Sequence, residues 1–237
     1  MKTWLLIPML FLFLIGCEKD NIDEIPPGIS ILKPVENLVD SLLLVLPESR
    51  NFLLSSPELF SDTIQKNIVL IKESNVYVTF VNELTGNLNS LCWYAYNNTQ
   101  PPTESVAITN RVLFPNISKK GEGGLLESGY TLQLGTEKFP AGTVIGFSLV
   151  VNGWKGGSID FSGTIHYTNY NFNIGGQQQH VLFKNEYSHY IIIGYEDGTI
   201  ANNPNCDKDF NDILFSVSDN LDGLEATSFD LSRIVVR

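Results

Sequence analysis

The sequence predicts an all-β protein, a β-sandwich or jelly-roll-like domain preceded by a short N-terminal helical segment. Roughly ten short apolar runs, rich in Val, Ile and aromatics, recur along residues 67–237 with turn residues between them. Nineteen Gly, nine Tyr and fourteen Phe supply the residues of turns and of half-buried pleated surfaces. With 237 residues, 43% of them hydrophobic, the chain can bury one sizeable core.

Residues 1–16 read as a leader. Lys2 is their only charge, and the apolar run from Trp4 to Ile15, broken by Pro8, is too short to span a bilayer. The run ends Leu14-Ile15-Gly16-Cys17, which resembles the bacterial lipobox, where the Cys becomes the acylated N-terminus. Small Gly16 suits a peptidase site and Cys17 offers the thiol. The competing reading is an ordinary secretory leader with an incidental Cys. Glu18 follows where an inner-membrane retention signal has Asp. The acidic stretch through Asp20, Asp23 and Glu24 resembles the export tag of surface lipoproteins. The expectation is a lipid-anchored outer-membrane protein, facing the surface or the periplasm, held by acyl chains that each bury methylenes at about 0.8 kcal/mol apiece. Residues 17–33, with Pro26, Pro27 and Gly28, read as the tether.

Residues 34–66 form a helical or irregular segment. Val35, Leu38, Val39, Leu42, Leu43 and Leu46 recur at helical spacing up to Pro47, and Pro57 suits a second helix start. Strands are predicted over 67–72, 75–82, 90–96, 130–134, 143–151, 180–183, 188–195, 213–217 and 231–236. The run 143–151 is apolar almost throughout, as a strand buried on both faces would be, and Asn152-Gly153 after it signals a tight turn. The Gly-rich residues 119–124 lack the Gly-Lys-Ser/Thr ending of a phosphate loop and read as a surface turn. Cys92 and Cys206 carry no spacing signature, so two separate small side chains are favoured over a bridge that an extracytoplasmic compartment would allow. A net charge of -11 repels nucleic acid and anionic headgroups, which excludes a nucleic-acid partner.

The stretch from Gly194 to Val217 concentrates the chemistry. Between two strand-like runs lie Glu196, Asp197, Asp207, Asp209 and Asp212, with Lys208 the only basic residue. Two such charges about 4 Å apart repel by roughly 1 kcal/mol in water and roughly 4 kcal/mol at an effective dielectric near 20. A calcium site built at the hairpin base from Glu196, Asp197, Asp207, Asp209, Asn211 and Asp212 would relieve this with the oxygen ligands calcium takes. An EF-hand is excluded, because Asp212 stands where its Gly belongs and Ser218 where its Glu belongs. Adjacent Glu196 and Asp197 would point to opposite faces if the strand continues. The first alternative is a metal-free network in which Asp and Asn cap turns. The second is a surface glycosidase using the Glu196, Asp197, Asp209 and Asp212 carboxylates. There is no nucleophile elbow or zincin motif, and His166, His180 and His189 are scattered. A glycan or protein ligand would be met by aromatic side chains, with Trp93, Tyr94 and Trp154 the candidates, although most rings in an all-β domain are core.

An ordered set of motifs carries a family resemblance. Val78-Thr79-Phe80-Val81-Asn82-Glu83, Asn89-Ser90-Leu91, Trp93-Tyr94 and Leu113-Phe114-Pro115-Asn116 come first. Ala141-Gly142-Thr143, Gly146-Phe147 and Asn152-Gly153-Trp154 follow, and the set closes on Gly194-Tyr195-Glu196-Asp197 and Asp207-Lys208-Asp209-Phe210-Asn211-Asp212. From about Val76 to Val217, and less clearly back to Leu46-Pro47-Glu48, the chain resembles the LruC-like family, the bacterial domain of unknown function 4114. That resemblance implies a secreted or surface β-domain whose recurrent acidic residues have prompted suggestions of enzymatic activity. Cys92 departs from the family's usual Gly, and Leu84-Thr85 from its Gly-Ala, so the departures fall on the first hairpin and leave the acidic motif intact.

Overall fold

A computed structural model describes residues 22–33 and 37–237, so the leader, Cys17 and Val35 lie outside the described residues. Strands dominate, in two sheets. The seven-stranded sheet runs β1 (Ser30–Ile31), β6 (Tyr130–Gln133), β3 (Tyr77–Glu83), β11 (Ile213–Ser218), β10 (Ile191–Tyr195), β9 (His180–Lys184) and β12 (Val235–Val236). The five-stranded sheet runs β2 (Ile68–Val69), β7 (Thr143–Val150), β4 (Ser90–Asn97) and β5 (Arg111–Phe114), with β8 (Ile165–Tyr167) also on β7. All pairs are antiparallel except β12 on β9. The predicted all-β sandwich is the observed fold.

The alternation of side chains across each strand explains why the central strands read as unbroken apolar runs. On β10, Ile191, Ile193 and Tyr195 point between the sheets, where Phe147, Phe215, Phe80 and Leu149 complete the core. Ile192 points to the other face and meets Val181, Phe183, Val81 and Leu214. That outer face is covered by α1 (Leu38–Val45) through Leu38 and Leu42, then by Leu46, by Phe52 of α2 (Phe52–Ser55), and by Leu59 of the 3-10 turn Pro57–Phe60. The seven-stranded sheet is therefore buried on both sides, and the N-terminal segment is its third layer. A bulge opposite Leu214 and Phe215 gives β3 an extra residue, Val81, directed into that outer layer.

Several elements are shorter than the apolar pattern suggests. The run 67–72 pairs only at Ile68 and Val69 before a single bridge from Leu70 to Phe229. The run 231–236 keeps only Val235 and Val236. The Asn152-Gly153 turn is present, with the Gly153 N–H donating to the Val150 carbonyl at 3.1 Å, and it opens a longer excursion before β8. Helix α1 ends just before Pro47, whose ring disfavours helical geometry in the residue preceding it. Because neighbours are antiparallel, the ends of β3, β7 and β10 and the starts of β4, β8, β9 and β11 meet at one end of the sandwich.

Candidate functional site

The acidic hairpin closes that end. Tyr195 pairs with Ile213, so Glu196 and Asp212 occupy the next rung. The Asp197 N–H donates to Asp212 Oδ2 at 2.8 Å, which locks the hairpin mouth. The Asp197 carboxylate oxygen Oδ2 accepts from Thr85 Oγ1 at 2.7 Å, Asn89 Nδ2 at 2.8 Å and Asn87 Nδ2 at 3.1 Å. All three donors come from the β3–β4 connection. Asn89 Oδ1 in turn accepts from the Asn152 N–H at 2.8 Å, and the Asp197 carbonyl lies 3.1 Å from His166 Nε2 of β8. One aspartate thus ties the β10–β11 hairpin to the β3–β4 connection, to strand β8 and, through Asn89, to the β7–β8 connection. Burial lowers the His166 pKa, which favours the neutral ring, and Gln179 Nε2 lies 3.2 Å from the same ring nitrogen.

The second half of the hairpin faces the helical layer. Asp209 Oδ2 accepts from the Ser49 N–H at 2.8 Å, and Asp209 Oδ1 from the Asn211 N–H at 3.2 Å. Asn211 Nδ2 donates to the Leu46 carbonyl at 3.1 Å, and the Phe52 N–H to the Lys208 carbonyl at 2.9 Å. Lys208 and Phe210 both have positive φ, which turns the Phe210 ring into the outer core against Phe60, with centroids 5.1 Å apart. Residues 207–211 are therefore the bracket on which the loop between α1 and α2 hangs. That loop brings Glu48, and side-chain oxygens of Glu48, Asp207 and Asp209 all lie within 4.8 Å of one another.

The structure divides the six sequence-predicted ligands between these two settings. Asp197 and Asp212 join through a hydrogen bond on the β3–β4 side, while Asp207, Asp209 and Asn211 gather on the helical side. Glu196 sits between, with only 2% of its surface exposed. Its Oε2 is buried without a hydrogen-bond partner. Burial pushes its pKa up to about 7, helped by the charges of Asp207, Asp209 and Asp197 and opposed by a hydrogen bond with Cys206. Burial also raises Asp209 to about 6, with Asp207 and Glu48 adding to the rise. Asp212 reaches about 9 through burial and the nearby Asp197 and Glu196. Lys208, the one basic residue of the hairpin, turns its Nζ to the Cys206 carbonyl at 3.3 Å. At neutral pH these values favour a protonated Asp212, leave Glu196 near its midpoint and leave Asp209 mostly ionised against the Ser49 and Asn211 amides.

Glu48 is the acidic neighbour of the hairpin that the sequence did not single out. It stands about 150 residues upstream in the chain, and its only signal was its place in the Leu46-Pro47-Glu48 outlier of the family resemblance. Trp93, Tyr94 and Trp154 are all buried, at 4%, 2% and 6% exposure. Trp93 lies beneath the Arg111 guanidinium, 5.0 Å from the ring centre, with Phe139 edge-on at 5.6 Å. The Tyr94 hydroxyl lies 3.2 Å from Thr168 Oγ1 and accepts from the Asn169 N–H at 3.1 Å. Cys92 and Cys206 are both free and buried, and burial pushes each thiol up to about 12.

Residues 139–220 match the profile of a domain of unknown function, DUF4114. The matched segment runs from just before β7 to the end of β11 and contains the whole acidic hairpin. Neither a curated protein nor a solved structure shows significant similarity to the chain.

Proposed function

We propose that the domain is a non-catalytic extracytoplasmic binding or adhesion module, carried on the outer membrane by an acylated Cys17, whose acidic hairpin is closed by calcium. The observation that supports calcium is the buried, unpartnered Oε2 of Glu196 beside carboxyls that gain nothing from a basic neighbour. Calcium takes six to eight oxygen ligands in flexible geometry, including carboxylates, backbone carbonyls and water. Glu48, Asp207 and Asp209, whose side-chain oxygens lie within 4.8 Å of one another, are the residues that would hold it, with Glu196 adjoining them. Asp197, occupied by three donors, would serve as scaffold. The ion would then fasten the helical layer, through Glu48, to the last hairpin of the sandwich.

Thermal melts in calcium and in chelator test the metal. A ligand at a hundred times its Kd adds about 2.7 kcal/mol. In a chain of this size that raises the melting temperature by roughly 5–10 °C. A melting temperature indifferent to both would sink the calcium reading. Mass analysis of the mature N-terminal peptide tests the anchor, since Cys17→Ala should abolish acylation and membrane retention.

A hydrolase drawing on Glu196, Asp197, Asp209 and Asp212 remains the second reading, supported by the raised pKa of Asp212, which suits a general acid. Turnover of a glycan panel that disappears in Glu196→Gln would favour it over the binding module.

A further inference from the structure

Strand β5 pairs with β4 only at Leu91, Cys92 and Trp93, so Tyr94 to Asn97 have no strand on that side. The chain between β4 and β5 swings away, leaving a cavity of about 370 Å³ against this open edge. That size lies within the range of about 300–1,000 Å³ typical of small-molecule sites. Its apolar wall is made by Trp93, Tyr96 and Phe139, its polar wall by Gln100, Thr109 and the Arg111 guanidinium.

Charge makes the cavity unusual in this molecule. The chain carries -11 overall, yet Arg111 is the only ionisable group other than tyrosine in the lining. Arg111 is exposed, carries its guanidinium carbon 5.0 Å from the centre of the Trp93 ring, and has no acidic partner among the described residues. The cation–π contact holds the guanidinium at the cavity wall, and with no acidic partner its donor fork is available to a carboxylate. The neighbouring Tyr96 and Phe139 rings are half-buried, offering apolar surface beside the fork. The open β4 edge adds backbone donors and acceptors for hydroxyl groups.

We infer that this cavity binds an acidic sugar unit of a glycan, with the carboxylate on Arg111. The C–H face of the sugar lies against Tyr96 and Phe139, and its hydroxyls meet Gln100, Thr109 and the β4 edge. A neutral sugar leaves the guanidinium fork unused, and a purely apolar ligand leaves the polar wall unpaired. The site lies apart from the acidic hairpin. It rests on the binding-module reading above and gives that module a ligand class.

Titration of the full chain with oligogalacturonate, followed by tryptophan fluorescence because Trp93 lines the cavity, tests the assignment. Neutral galactose oligomers of the same length are the control. Saturable binding of the acidic oligomer alone is expected, weakening as salt is added. Arg111→Ala should reduce affinity about tenfold or more, and Arg111→Lys should fail to restore it, because an ammonium lacks the planar fork. Both variants should melt as the parent does, since Arg111 is exposed. Thr109→Val provides a second, uncharged weakening on the polar wall. The inference is overturned if acidic and neutral oligomers behave alike, or if Arg111→Ala binds as the parent does. Binding of a peptide C-terminal carboxylate in place of the sugar overturns the sugar class and leaves the binding module standing. Calcium-indifferent melting would fail the hairpin reading without touching this site.

Discussion

The Asp197 amide donates to the Asp212 carboxylate at 2.8 Å across the mouth of the β10–β11 hairpin, while the Asp197 carboxylate takes three donors from the β3–β4 connection. One residue therefore spends its backbone on the hairpin and its side chain on a different loop. Asp197→Ala would leave Asn89 Nδ2 buried without this acceptor and would free Thr85 and Asn87 from the hairpin. An unmet buried donor costs about 1–3 kcal/mol. A loss of about 2–4 kcal/mol is expected, seen as a fall of roughly 5–15 °C in melting temperature. Asp197→Asn, which keeps an acceptor oxygen, should lose less. A change below about 0.5 kcal/mol in urea unfolding would contradict this scaffold role.

Without calcium, stability should fall as pH rises. Glu196, Asp209 and Asp212 are all held above their ordinary values, at about 7, about 6 and about 9. A carboxyl with a raised folded pKa binds its proton more tightly in the folded state than in the unfolded one. Its contribution is full below the unfolded pKa and is lost as pH climbs through the folded value. Chelated protein should therefore melt progressively lower from about pH 4 towards pH 9, with the fall continuing past neutrality because of Asp212. Calcium competes with those protons and should flatten the upper part of the profile. A chelated protein that gains stability between pH 5 and 8 would contradict the raised values.

The sandwich was legible because its signal is local. Ile191, Ile192 and Ile193 announce a strand buried on both faces, and they are divided between the two cores. The acidic hairpin was legible for the same reason, since its charges adjoin one another in the chain. What was not legible depends on contacts between distant segments. The half-buried Thr85 and Asn87 and the buried Asn89 carry no sign in the sequence that they converge on Asp197. Glu48 reaches Asp209 only because Asn211 and Lys208 bind the loop after α1. Arg111 over Trp93 is a cross-strand pair whose register no periodicity discloses. Strand ends were overestimated at 67–72 and 231–236, where β-propensity continued beyond the available partner.

Gly194 is the position where the hairpin tolerates no side chain. A Cβ there would stand 2.3 Å from the Phe210 carbonyl, with Leu214 Cδ2 at 3.1 Å and Leu46 Cδ1 at 3.3 Å. The first obstacle is backbone, in the bracket that supports the helical layer, so it cannot rotate aside. Gly194→Ala should cost about 3 kcal/mol or more, at the upper end of overpacking effects. Gly86→Ala is the control, since nothing lies within 4 Å of its Cβ position. Equal melting temperatures for the two variants would mean that the Phe210 turn yields.

Glu48 separates a cation site from a network of capped turns. Asp209 performs a capping role whether or not a metal binds, because its two oxygens hold the Ser49 and Asn211 amides. Its substitution would destabilise the fold under either reading. Glu48 is exposed and near Asp207 and Asp209, so without calcium it contributes only repulsion. Glu48→Gln should therefore leave the chelated protein as stable as the parent or slightly more so, by a few tenths of a kcal/mol. In calcium the same change removes a charged oxygen ligand, and the midpoint of stabilisation should move to about tenfold higher calcium or beyond. Isothermal titration of parent and variant measures the difference directly. If both take up calcium alike, the ion lies elsewhere; if neither does, residues 207–211 are a bracket for the helical layer and nothing more.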